Sequence, residues 1–156
     1  MENKLLEFLV ESNAIEEEFS FGAVVDSVRA WKYAMKDAGK IDILTVKGIH
    51  YQIMRRLDPL ISGKIRQISV YVGGEECLNP KYILQHLTDW CERYGKDTNW
   101  EDIKKRHIEF LKIHPFLDGN GRTARILMNL KRLYAGMELL VIHHGDEQRD
   151  YYKWFD

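Results

Sequence analysis

The sequence predicts an all-α fold, a helical bundle carrying one small β-hairpin flap. Apolar residues recur at about 3.6-residue spacing along most of the 156 positions. Only 3 prolines occur, with no repeat, no low-complexity tract and no linker rich in Pro, Gly or Ser. A single stretch, residues 65–74, alternates with period two instead. The length suits one domain with its own core, so the chain reads as a single domain over residues 1–156.

Each element follows from its local chemistry. Leu5, Leu6, Phe8, Leu9 and Ile15 outline a first helix ending near residues 16–18. A second runs through "FGAVVDSVRAWKYAMKDAGK", with Gly39 as its stop. "ILTVKGIHYQIMRRL" is a third, despite Gly48 inside it. "IRQISVYVGG" sets Ile68, Val70 and Val72 against Gln67, Ser69 and Tyr71 and ends in Gly-Gly. One strand or hairpin cannot form a core sheet, so it reads as a flap over the helices. Such a flap either pairs its edge with an extended peptide or serves only as a cover. Pro80 opens a fourth helix that ends before Gly95. Thr98 or Asn99 caps a fifth, with acids in its first turn. "RTARILMNLKRLYAG" is a sixth, stopping at Gly136, and "DEQRDYYKWF" is the last.

Bulk composition narrows the function. The net charge is −1, from 23 basic and 24 acidic residues, which disfavours a generic nucleic-acid or membrane-surface binder. Cys77 and Cys91 have neither zinc-ligand spacing nor partners for a disulfide framework, so both read as free thiols in a reducing compartment. The N-terminal apolar stretch is interrupted by acids and lacks a basic n-region. No segment has the length to span a bilayer. A cytoplasmic location is the expectation.

The chemistry concentrates in "IHPFLDGNGRTAR", residues 113–125. Trp100, Ile103, His107, Phe110, Leu111 and His114 share one helical stripe, and Pro115 then forces His114 out of the α region. His107, flanked by core residues, reads as a hydrogen-bonded core histidine. Gly119, Asn120 and Gly121 allow backbone N–H groups to face one side as a nest at a helix N-terminus, where an anion is favoured. Arg122 and Arg125 lie three residues apart on nearly one face. Asp118 is the hard oxygen ligand that Mg²⁺ takes beside phosphates. The combination suits a polyphosphate.

"HPFLDGNGRTAR" resembles the Fic family signature HxFx(D/E)GNGRxxR, with every fixed position present. "GKIRQISVYVGGEECLNPKYI" is similar to that family's flap, and "RHIEFLKIHPF" to the helix before its loop. The resemblance implies a Fic-type helical fold and transfer of AMP from ATP to a Ser, Thr or Tyr hydroxyl of a target protein, releasing pyrophosphate. It implies His114 as general base, Asp118 as the Mg²⁺ ligand and Gly119, Asn120 and Gly121 as the anion nest. Arg122 is implied as a phosphate contact, Arg125 as the γ-phosphate contact, and Phe116 as the buried anchor of the loop. Ile68, Ser69, Val70, Tyr71 and Val72 become the flap that registers the target by strand pairing. Glycine at position 121, where the Doc-like kinase branch has lysine, favours nucleotidyl transfer over phosphorylation.

"SNAIEE", residues 12–17, resembles the family's inhibitory motif (S/T)xxxE(G/N), with Ser12 and Glu16 one turn apart. The resemblance implies an N-terminal inhibitory helix over residues 3–18, with Glu16 pairing to Arg125. Glu17 departs from the motif's Gly or Asn. AMP removal, use of another nucleotide donor, and a non-catalytic nucleotide- or partner-binding module are the competing readings. A homo-oligomer is left open.

Overall fold

Helix α6 (Asn120–Tyr134) is buried along almost its entire first ten residues, and the other helices are arranged around it. The computed structural model describes residues 2–36 and 40–156, and Gly39, the expected stop of the second helix, lies outside the described residues. Around α6 pack α1 (Glu2–Ala14), α2 (Phe21–Lys36), α3 (Ile43–Met54) and α5 (Trp100–Ile113), while α4 (Ile83–Lys96) covers α5 and α3. A short α7 (Asp146–Tyr152) continues into a 3-10 turn, Lys153–Phe155. Among the described residues, no helix is long and apolar enough to cross a membrane.

Local chemistry sets the helix ends. Asn99 caps α5 by accepting the Asp102 N–H at 3.0 Å, and Glu101 and Asp102 face the positive end of the helix dipole. Gly48 lies directly against the Tyr33 ring, so a side chain there would collide with α2. This close approach explains a glycine inside a helix. Gly95 does not end α4, which runs on to Lys96 because buried Tyr94 holds its last turn in the core. Pro80 opens a 3-10 turn, Pro80–Tyr82, one turn ahead of α4 proper. Helix α3 stops at Met54 rather than near residue 57.

The main core joins α1–α6 through Phe8, Trp31, Ile49, Trp90, Phe110, Phe116 and Leu127. Burial of each such large side chain contributes roughly 2–3 kcal/mol. A second cluster, Ile15, Ile103, Met128, Ile142 and Tyr151, ties the turn after α1 to α5, α6 and α7. That cluster fixes the turn carrying Glu16.

The flap is smaller than its sequence predicts. Only Tyr71–Val72 (β1) and Glu75–Glu76 (β2) pair, antiparallel, around a two-residue Gly73-Gly74 turn at φ 59° and 84°. Ile68, Ser69 and Val70 precede the strand and lie outside the β ladder, although the Val70 carbonyl accepts the Cys77 N–H at 2.9 Å. The alternation misleads because neither face is buried: Ile68, Tyr71 and Val72 are all exposed. With no core beneath, period two has no hydrophobic face to register.

Candidate functional site

The α5–α6 connection is held rigidly from inside. His114 caps α5 in the left-handed region, φ 49°, its N–H still reaching the Phe110 carbonyl at 2.9 Å. Leaving the helix this way satisfies Pro115, which excludes the α conformation before it. Asn120 is buried and points back into the loop. Its Oδ1 accepts the Phe116 N–H at 3.0 Å and its Nδ2 donates to the Phe116 carbonyl at 2.8 Å. Only the backbone N–H of Asn120 is therefore left for an anion. Gly119, at φ 79°, sits so close to Met54 and His50 that a β-carbon would collide. Helix α6 starts at Asn120, two residues earlier than the sequence indicates, and its first regular donor is Thr123, bonded to the Gly119 carbonyl. The N–H groups of Asn120, Gly121 and Arg122 therefore form the open first turn, whereas the Gly119 N–H, expected in the nest, is taken by Asp118 Oδ1.

His114 stands beside this turn. Its Nδ1 lies 3.2 Å from the Leu111 carbonyl, which can only accept, so the neutral ring carries its proton there. The Nε2 lone pair has no partner among the described residues and can receive a proton. Burial lowers the pKa of His114, and the Arg66 charge pushes the same way against the Leu111 hydrogen bond. The imidazole is thus kept neutral.

Arg122 is buried, and its Nε and Nη1 have no hydrogen-bond partner among the described residues. Its Nη2 has only the Met54 sulfur at 3.5 Å and the Asp118 carboxylate at 3.8 Å. A buried guanidinium left this far short of partners is costly unless an anion completes it. Asp118 is exposed, with Oδ1 held by the Gly119 N–H at 2.6 Å. Among the described residues no cluster of three or more His, Cys, Asp or Glu forms a metal site.

Arg125 is engaged through Nε and Nη2. Nε donates to the Ser12 hydroxyl at 2.9 Å, and Nη2 donates to the Ser12 carbonyl at 2.9 Å and to Glu16 Oε1 at 2.6 Å. Burial disfavours the Arg125 charge, but Tyr151 and the Glu16 carboxylate outweigh it and hold its pKa above the ordinary value. Gly121 makes room for the pair, since a β-carbon there would overlap the Glu16 carboxylate. Glu17 follows in the left-handed region at φ 56°, which explains why a Gly or Asn suits that position.

His107 is a core residue, as its flanks predict. It bonds the Ala124 carbonyl at 3.2 Å and the Tyr151 hydroxyl at 2.8 Å, and burial lowers its pKa to about 3. Cys77 and Cys91 are free.

Two residues that position the site were not singled out from sequence. His50 accepts the Gly63 N–H at 2.9 Å and donates to the Asp118 carbonyl at 2.7 Å, while its ring stacks on Phe116 at 3.7 Å. Arg66 spans the flap base and the end of α5. Both carried a signal: a histidine among Val46, Ile49 and Ile53 on a buried stripe, and a charge on the apolar parity of an alternating stretch.

Comparison with known proteins agrees with this architecture. The Fic/DOC family profile matches residues 40–131. Protein adenylyltransferase fic-1 from Caenorhabditis briggsae is 32% identical over 112 residues, 69% of this chain and 22% of that protein. Protein adenylyltransferase Fic from Drosophila yakuba is 35% identical over 126 residues, 74% of this chain and 24% of that protein. The chain thus spans about a quarter of the length of these curated relatives. A Fic-1 fragment from C. elegans superposes with a TM-score of 0.80 at 20% identity, over 98% of this chain and 55% of that one. A Fic domain containing signaling protein from Bacteroides thetaiotaomicron gives 0.81 at 22% identity, over 97% and 70% of the two chains. These structures share the fold, and with the family match and the sequence relatives they place the chain: it belongs to the Fic/DOC family.

Proposed function

We propose that the chain is a protein adenylyltransferase that moves AMP from ATP to a Ser, Thr or Tyr hydroxyl of a target protein and releases pyrophosphate. The curated relatives named protein adenylyltransferase support the reaction class. The single observation that carries it is Arg122, whose buried guanidinium, with Nε and Nη1 unpartnered among the described residues, borders an open helix N-terminus beside the free lone pair of His114. His114 Nε2 takes the proton of the target hydroxyl as its oxygen attacks the α-phosphorus, and the bond to the β-phosphate oxygen breaks. The N–H groups of Asn120, Gly121 and Arg122, with the Arg122 side chain, hold the phosphate oxygens. Asp118, exposed at the mouth, would hold Mg²⁺ together with those oxygens, as a cation that keeps few protein ligands requires. When bound, the ion neutralises phosphate charge. Residues 68–72 receive the target as an added strand at the β1 edge.

Glu16 restrains the reaction in this reading. It occupies Arg125, which would otherwise meet the γ-phosphate, and residues 3–18, expected as one helix but helical only to Ala14 with Glu16 in the turn beyond, act as the inhibitory segment. Incubation of the Glu16→Gly protein with cell lysate and labelled ATP tests the function. Label on protein from the α position is expected. Label from the γ position, or none from either, contradicts it.

A further inference from the structure

We propose that Arg66 is a positioning residue that locks the flap to the His114 backbone, so that a target strand docked on the flap is held in fixed register with the imidazole. The inference rests on the functional reading above. Arg66 is almost entirely buried and has no carboxylate partner among the described residues. Its fork is spent on backbone oxygens instead. Nε donates to the His114 carbonyl at 2.6 Å, Nη1 to Ile68 at 2.7 Å, and Nη2 to Leu78 at 2.6 Å and Ile113 at 3.2 Å. Its own N–H reaches the Pro115 carbonyl at 3.0 Å.

These acceptors form two groups with one logic. Ile113 and His114 present the terminal carbonyls of α5, which lack helical partners and carry the negative end of the dipole. Ile68 and Leu78 are the two ends of the flap, which is otherwise closed only by the short β1–β2 ladder and the Cys77–Val70 bond. A planar guanidinium reaches both groups at once, whereas an ammonium on a flexible stem cannot hold four acceptors in one plane. The held carbonyl belongs to a residue in a sparsely populated conformation, which persists only where its surroundings over-determine it. Arg66 therefore sets His114 and the target-docking segment relative to each other without touching substrate.

The test uses Arg66→Lys in a Glu16→Gly background. ATP affinity, measured by calorimetry with Mg²⁺, is expected to stay within about twofold. The rate of α-label transfer to lysate proteins at saturating ATP is expected to fall at least about tenfold. Equal transfer, or a parallel loss of ATP affinity, overturns the positioning role while leaving the functional reading in place. A Glu16→Gly parent that transfers no AMP overturns the functional reading, and this role with it. Should Arg66→Lys fail to fold, amide hydrogen exchange on the unsubstituted protein decides. The Arg66 and Cys77 N–H groups are then expected to open together with matched protection, and independent opening contradicts the lock.

Discussion

Glu16 Oε1 lies 2.6 Å from Arg125 Nη2, joining the turn after α1 to the middle of the buried α6 across 109 residues of sequence. Ser12 completes the contact with its hydroxyl and its carbonyl. Charge-assisted hydrogen bonds of this kind contribute about 1.5–3 kcal/mol. Removing the carboxylate by Glu16→Gly is expected to raise AMP transfer by roughly 10- to 100-fold. Quantified α-label incorporation checks it, and equal incorporation by the parent protein removes Glu16 from the inhibitory role.

Glu17 occupies a left-handed conformation that costs an ordinary L-residue roughly 1–2 kcal/mol. Glu17→Gly is expected to raise stability by about 1 kcal/mol in urea unfolding. It should also lower basal transfer, because the turn presenting Glu16 becomes better populated. Unchanged stability shows that the turn carries no strain.

Arg122 is a charge that the fold buries without adequate partners. Arg122→Met keeps the length of the side chain and removes the under-partnered guanidinium. Stability is expected to rise by about 1–3 kcal/mol while ATP binding is lost. A less stable variant, or one retaining ATP affinity, contradicts the assignment of this pocket to phosphate.

His107 is neutral in the fold because burial lowers its pKa to about 3, against an ordinary value near 6.5 in the unfolded chain. The unfolded chain therefore binds the proton first, and stability present above about pH 6.5 declines as pH falls toward the folded pKa. Between pH 7 and pH 5 this histidine alone is expected to remove about 2 kcal/mol. Chemical unfolding at both pH values measures it. His107→Gln should flatten the dependence, and equal slopes assign the acid sensitivity elsewhere.

Much of the fold was legible because the helices bury clear apolar stripes and carry polar caps. Ile103, His107 and Phe110 of the expected α5 stripe are buried, and of the two caps the sequence offers, Thr98 or Asn99, the structure uses Asn99. The loop signature was legible because few other arrangements need Pro115, Gly119 and Gly121 so close together. The flap was over-read, since period two describes extended backbone but does not show whether a partner strand or a core is present. Asn120 was assigned to the anion nest through its backbone N–H, whereas the role of its side chain in closing the loop on Phe116 is a contact that only the three-dimensional structure reveals. His50 and Arg66 act through backbone carbonyls far away in sequence, and local periodicity holds no record of such contacts.

The account depends on His114 taking a proton from an attacking alcohol next to phosphates bound at the start of α6. The most direct measurement compares single-turnover AMP transfer by Glu16→Gly with that of the Glu16→Gly/His114→Ala double variant at matched, saturating ATP. Transfer should fall by at least about 100-fold in the double variant with ATP affinity unchanged. Undiminished transfer without the imidazole would show that the proton leaves by another route and that the site has been assigned wrongly.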